Sequence, residues 1–284
     1  MYSRVVACLQ CPLCHSGLIE LDSGSGRALR CPQKHSFDIA KQGYANLSVL
    51  PSAHSGDTAE MVAARAQFLA DGHYRFIADA VAQEARQLTL VAEPGLILEA
   101  GAGSGYYLGV VMDSLPDSAG LALDVSKAAL RRAAKAHPRI GAALCDVWRK
   151  LPVKDGVAGL VLSIFAPRNG PEFKRVLTKG GSVIVVAPTS AHLQELVGPL
   201  GLLSVGAHKE DAVAASLGDD FLRTDERRMD RILQLTEEEV YTLVQMGPSA
   251  WHVNPDRLKA AISLFACPIN VTASVQITTY RVAQ

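Results

Sequence analysis

The chain has 284 residues, 49% hydrophobic and 20% charged, with 28 Lys+Arg against 28 Asp+Glu. That length suits one large domain plus a small one, or two medium ones, with apolar residues enough for an ordinary core. A formal charge of zero gives no support to indiscriminate nucleic-acid binding, and no uninterrupted apolar run reaches the roughly 18 residues needed to cross a bilayer.

The first candidate element is CPLCHSGLIELDSGSGRALRCPQKH, residues 11–35. Cys11, Cys14, Cys31 and His35 follow C-x2-C-x16-C-x3-H. Three thiolates and one imidazole make a closed tetrahedral zinc set, structural rather than catalytic. A unit this small buries too little apolar surface to fold alone, which gives the metal a purpose. The alternatives are unligated thiols, or a first pair of Cys8/Cys11 instead of Cys11/Cys14. Pro12 and Pro32 make two equivalent turns, which favours Cys11/Cys14. An iron–sulfur reading lacks a fourth clustered thiolate. Cys145 and Cys267 stand apart and are expected to be buried core thiols. Metal-type cysteines and the lack of an N-terminal apolar secretory stretch point to the cytoplasm.

The middle of the chain alternates strand-like runs (95–102, 120–124, 142–147, 157–165, 182–188) with helical patterns (106–115, 127–137, 172–177). This βαβα rhythm predicts a doubly wound α/β sheet with its ligand site at the C-terminal strand edge. Two further helical patterns (237–246, 256–265) precede an alternating strand (271–280), as if a late antiparallel pair completes the sheet.

Where the first of these strands ends, Glu99-Ala100-Gly101-Ala102-Gly103-Ser104-Gly105-Tyr106 reads as a nucleotide-facing loop and helix start. A dinucleotide site wants G-x-G-x-x-G for its pyrophosphate. Here the spacing is G-x-G-x-G behind an acid, which suits the ammonium and sulfonium of S-adenosylmethionine better than a phosphate. Asp124, ending the next strand, can accept from ribose hydroxyls with either cofactor. Asp146, ending the third, is a candidate for the adenine amino group or simply a solvated loop acid. Phe165-Ala166-Pro167-Arg168-Asn169 and His192 follow later strands at the same rim. Phe165 suits a flat, flipped base, with a last core residue as the plain alternative. His192 alone reads as an ordinary helix-start residue. Arg131, Arg132, Lys135 and Arg139 are expected on one solvated helix face.

Taken together, the chain resembles the RlmA family of bacterial large-subunit rRNA guanine-N1 methyltransferases, and most of all its actinobacterial tylosin-resistance branch. The resemblance is carried by Cys11-x2-Cys14…Cys31-Pro-x2-His35, Phe37-Asp38-x-Ala40-x2-Gly43-Tyr44-x-Asn46-Leu47, Asp71-Gly72-His73-Tyr74 and Leu123-Asp124-x-Ser126-Lys127. It continues through Phe165-Ala166-Pro167-Arg168-Asn169, His192-Leu193-x-Glu195-Leu196 and Met246-Gly247-Pro248-Ser249-x-Trp251-His252. It selects Cys11/Cys14 as the first ligand pair, and implies a class I S-adenosylmethionine-dependent methyltransferase domain behind a zinc module. The expected division is 1–45 zinc-binding and RNA-recognising, 46–85 connecting helices, and 86–284 methyltransferase. Tyr74, Gly105, Asp124 and His192 fall on cofactor-site positions of the family. With Glu99, Gly101, Gly103, Tyr106 and Asp146 they form the expected cofactor set. Relatives often carry aspartate and a bulkier aliphatic where this chain has Glu99-Ala100; the acid is kept.

The resemblance implies 23S rRNA as substrate, at a hairpin loop of domain II near the macrolide exit tunnel. Nucleotide 748 is the expected target, with 745 as the sister specificity, and relatives suggest a dimer. No base for the guanine N1 proton stands out among Asp146, Asp38 and Glu60. The competing classes are a zinc-containing nicotinamide dehydrogenase, for which the loop spacing is wrong, and an RNA-binding protein with an inactive methyltransferase fold.

Overall fold

A computed structural model describes residues 1–22, 24, 26–50, 56–89, 95–203 and 209–283, without the side chains of 209–212. Helix α1 (Ser3–Cys8) leads into three short strands, β1 (Ile19–Asp22), β2 (Arg27–Arg30) and β3 (Ser36–Asp38), paired antiparallel in that order. The chain then adds β4 (Tyr44–Asn46) to the edge of a second, larger sheet. Helices α2 (Ala59–Ala70) and α3 (Arg75–Thr89) follow. Thr58 starts α2 by accepting the Met61 N–H at 3.2 Å, a side-chain cap for an otherwise unpaired donor.

The doubly wound part is β5 (Leu96–Ala100), α4 (Tyr106–Ser114), β6 (Ala119–Asp124), α5 (Lys127–Ala133), β7 (Ile140–Leu144), β8 (Ala158–Ile164), α6 (Gly170–Val176) and β9 (Leu177–Pro188). After α7 (Gln194–Leu200) and α8 (Lys209–Leu217), strand β10 (Phe221–Leu235) runs along the far edge. Then come α9 (Glu237–Gln245), α10 (Pro255–Ile262) and β11 (Ile269–Val282). The eight-stranded sheet has the order β10-β11-β9-β8-β5-β6-β7-β4. Strands from β4 to β9 are mutually parallel, and β11 pairs antiparallel with both β9 and β10.

Burial on both faces explains the continuous apolar runs of the central strands. Along β5 and β8, Ile97, Leu160, Leu162 and Ile164 enter the core on one face, under α3, α4 and α9. Leu96, Leu98 and Val161 enter the core on the other, with Leu121 and Val183. That second core also contains Val5, Leu9, Leu29 and Cys31, so the small N-terminal sheet packs against the large one rather than hanging from it.

Three expectations change. Cys145 is buried as expected, but Cys267 is exposed. It lies in the turn between α10 and β11, where its neighbours Ala266 and Pro268 also face solvent and offer the thiol no apolar cover. Helix α5 ends at Ala133, so Lys135 and Arg139 lie beyond it. Arg139 is no solvated face residue: its guanidinium donates to the carbonyls of Leu115 at 2.6 Å and Ser118 at 2.8 Å, closing the turn before β6. Finally, β10 occupies residues 221–235, where the sequence pattern predicts no element.

Candidate cofactor cleft and zinc cluster

The two Cys-Pro turns bring their ligands together. The donor atoms of Cys11, Cys14, Cys31 and His35 all lie within 4.8 Å of one another. His35 Nδ1 is 3.4 Å from both the Cys11 and Cys31 sulfurs, and Cys14 Sγ is 3.6 Å from Cys31 Sγ. Tetrahedral zinc, with Zn–S of about 2.3 Å and Zn–N of about 2.0 Å, requires separations of about 3.5–3.8 Å. The donor set therefore fits zinc in both chemistry and spacing. Each turn closes through a left-handed residue, His15 (φ 60°) and Lys34 (φ 67°), whose N–H groups reach the Cys11 and Cys31 carbonyls. Cys8 stands outside the cluster, with its thiol on the Arg4 carbonyl at 3.3 Å.

At the C-terminal edge of the large sheet lies a cavity of about 860 Å3. Tyr74, Glu99, Gly101, Gly103, Tyr106 and His192 line it, together with Phe165. Gly105, Asp124 and Asp146 are not among its lining residues. Two glycines are required by geometry. A Cβ on Gly101 (φ +67°) would stand 2.7 Å from Ala166 Cβ, and one on Gly105 (φ +75°) 3.0 Å from the Ala133 backbone.

Asp124 holds the loop. Its two carboxylate oxygens accept the Gly103 N–H at 2.7 Å and the Ser126 N–H at 2.8 Å. Each carboxylate oxygen has a second lone pair, so these bonds leave capacity for a ligand hydroxyl. Burial pushes the Asp124 pKa up, against the pull of those two N–H groups. Strand β7 ends at Leu144, so Asp146 sits in the loop beyond it. It accepts the Trp148 N–H at 3.0 Å, with Arg149 3.8 Å from its other oxygen. Glu99 is buried at the cavity wall and accepts the Leu108 N–H at 3.2 Å. Desolvation raises its pKa to about 8, so at neutral pH the acid holds its proton until a cation comes near.

Part of the lining is aromatic. Tyr74, Phe165 and His192 have ring centroids 6.1 Å apart in each pairing, and Tyr107 lies 6.5 Å from Phe165. Phe165 sits at a left-handed φ of 53° just past β8 and stays 40% exposed. A non-glycine residue held there stores backbone strain of the kind found at ligand sites. His192 Nδ1 accepts the Ser274 N–H at 3.1 Å, and its Nε2 lies 3.3 Å from the Tyr74 hydroxyl. With Nδ1 used as an acceptor, the neutral ring carries its proton on Nε2 and donates toward Tyr74. Burial raises the Tyr74 pKa, so the phenol stays protonated.

Asp38 and Glu60 are exposed on β3 and α2, and neither lines the cavity. Sequence reasoning missed Arg65 and Tyr107, both on the cavity wall. Tyr107 could have been found from its place one residue after Tyr106 at the helix start. Arg65 carried no signal, being one arginine in an ordinary helix.

The zinc-ribbon family model described as RlmA, N-terminal, matches residues 9–55. A Micromonospora griseorubida protein named as a 23S rRNA (guanine-N(1)-)-methyltransferase is 49% identical, covering 99% of each chain. A Streptomyces fradiae protein, 23S rRNA (guanine(748)-N(1))-methyltransferase, is 43% identical over 99% of each. Among solved structures, a Haloferax volcanii methyltransferase determined with its activator aligns at TM-score 0.50, 18% identity, over 81% of this chain and 100% of that one. The YcgJ protein of Bacillus subtilis aligns at TM-score 0.50 and 14% identity, over 71% and 99%. These two speak for the class I methyltransferase fold alone. The full-length identities go further: the chain belongs to the RlmA family of 23S rRNA (guanine-N1)-methyltransferases.

Proposed function

We propose that this protein transfers the methyl group of S-adenosylmethionine to N1 of a guanine in 23S rRNA, at nucleotide 748. The observation that carries the reading is one cavity holding both the glycine loop with Glu99 and the aromatic wall of Tyr74, Phe165 and His192. The first half suits a cationic nucleoside cofactor, and the second a flat base turned out of its loop. Position 748 is favoured over 745 by the 43% identity to the Streptomyces fradiae protein named for it.

The cofactor supplies an electrophilic methyl on a sulfonium. The protein's work is to orient base and donor and keep water out. The carbonyl and N–H groups of the loop at Gly101 and Gly103 shape one side, Asp124 braces that loop and offers its spare lone pairs to ribose, and Glu99 faces the ammonium. Asp146 remains the proposed adenine acceptor. Phe165 offers a stacking face, and the Tyr74 hydroxyl, oriented by His192, offers a donor. His192 does not act as the base in this arrangement, because its one lone pair is taken by Ser274. The proposed division keeps 1–45 as the RNA-recognising zinc module, 46–85 as connecting helices and 86–284 as the methyltransferase domain. A ribosomal substrate implies work in the cytoplasm, and protection against tylosin is the expected phenotype.

The test is methylation of 23S rRNA by purified protein with labelled cofactor, followed by primer extension. A stop at nucleotide 748 supports the reading. A stop at 745 moves the specificity, and cofactor binding without any methylation favours the inactive-fold alternative.

A further inference from the structure

An S-adenosyl ligand brings a carboxylate as well as cations, and Glu99 cannot serve both. Among the described residues, two arginines line the cavity, Arg65 and Arg168. Arg168 is committed behind its loop, donating to Ser216 Oγ at 2.8 Å and the Ala166 carbonyl at 3.2 Å. Arg65 reaches across the mouth from α2. One guanidinium nitrogen donates to the Met246 carbonyl at 2.6 Å. The other lies 3.7 Å from where a Gly103 Cβ would stand, which puts it over the glycine loop. That same nitrogen is bonded to the Asp57 carboxylate.

We propose that Arg65 binds the α-carboxylate of the S-adenosyl ligand, and that Asp57 is the internal carboxylate which the ligand displaces. The inference rests on the cofactor reading above. A guanidinium fork held at one edge by Met246 is preorganised to take a carboxylate at the other. The exchange is cheap, because the pair is partly exposed, at 30% for Arg65 and 26% for Asp57, and such pairs contribute little to stability. Asp57 is also tied to the cofactor site by its backbone. Its carbonyl accepts from Ser126 Oγ at 2.8 Å, in the turn that follows Asp124. Ligand binding is thereby linked to the segment entering α2.

The experiment compares S-adenosylmethionine with its decarboxylated analogue by calorimetric titration of the wild type, Arg65→Met and Asp57→Asn. The wild type should prefer the carboxylate-bearing ligand by about tenfold to a hundredfold, the range of a charged hydrogen bond. Arg65→Met should erase that preference while leaving the analogue's affinity unchanged. Asp57→Asn should widen the preference by removing the competitor. Equal weakening of both ligands by Arg65→Met makes Arg65 a structural tie and overturns the proposal, as does an unchanged preference in Asp57→Asn, which stands as the test if the Arg65 variant does not fold. A wild type that binds neither ligand removes the cofactor reading itself; binding without an Arg65-dependent preference removes only this inference.

Discussion

Glu99→Gln should make the protein less sensitive to alkaline pH. Among the described residues the Glu99 carboxyl bonds to the Leu108 N–H, and burial lifts its pKa from an ordinary 4.5 to about 8. Between those values the folded protein holds a proton that the unfolded chain has released. Stability from this group is therefore full below about 4.5, falls as pH rises, and levels off above about 8. At about 1.4 kcal/mol per pH unit the ceiling is about 5 kcal/mol, and relaxation with water entry into the cavity reduces it to about 2–3 kcal/mol. Glutamine keeps the oxygen that accepts from Leu108 and does not titrate. Urea unfolding at half-unit steps from pH 5 to 9 should show the wild type losing stability relative to the variant across that window. Parallel curves for the two proteins would refute the assignment of a buried, neutral acid.

Cys31→Ser should lose the metal, read as zinc per chain by elemental analysis, while Cys8→Ser keeps one equivalent, because Cys8 is outside the cluster. Asp124→Ala should weaken S-adenosylhomocysteine binding by about 1.5–3 kcal/mol. Asp124→Asn, which retains one acceptor for the loop, should lose less in calorimetry, and equal losses would mean that bracing Gly103 contributes nothing to binding. Phe165→Ala should cut rRNA methylation by about 1–3 kcal/mol of stacking energy, with cofactor affinity nearly unchanged. Replacing the exposed Arg30, Lys34 and Lys41 by glutamine should lower the salt slope of RNA binding by about 0.7 for each phosphate these side chains neutralise. Arg27 is left in place because it pairs with Glu20, and an unchanged slope would make the ribbon a brace rather than a reader.

The parallel strands were legible because burial on both faces leaves uninterrupted apolar runs such as Leu96-Ile97-Leu98. The zinc set was legible because its ligands are local, two turns of the same pattern. Strand β10 was not, since an edge strand carries charge on its open side: Arg223, Asp225, Glu226, Arg227 and Arg228 are all exposed and read as a polar loop. At the site, the strand-end position of Asp124 could be read, but not that both its oxygens hold backbone N–H groups. Nor could Arg65 be seen, because its meaning comes from Met246, 181 positions away in the chain. Local spacing survives in sequence; meetings between distant elements do not.

The ribbon's attachment decides how its role can be tested. Leu9 bridges to Val153, the Gln10 N–H donates to the Pro152 carbonyl at 3.0 Å, and Lys154 Nζ reaches the Ala7 carbonyl at 2.6 Å. A cut after residue 45 would fall inside β4, whose Tyr44 and Ala45 pair with Ala142 and Ala143 of β7. It would also strip Val5, Leu9 and Leu29 from the core beneath Leu98 and Leu121. Deleting 1–45 therefore damages the cofactor-bearing sheet, and lost methylation after such a deletion says nothing about RNA reading. The metal divides the labour differently. Zinc holds the turns at Cys11–Cys14 and Cys31–His35, while the sheet supplies the apolar surface that the ribbon lacks. Stripping zinc should thus unfold the turns and leave β4 paired, so exchange protection should fall around residues 11–35 and persist at 44–46.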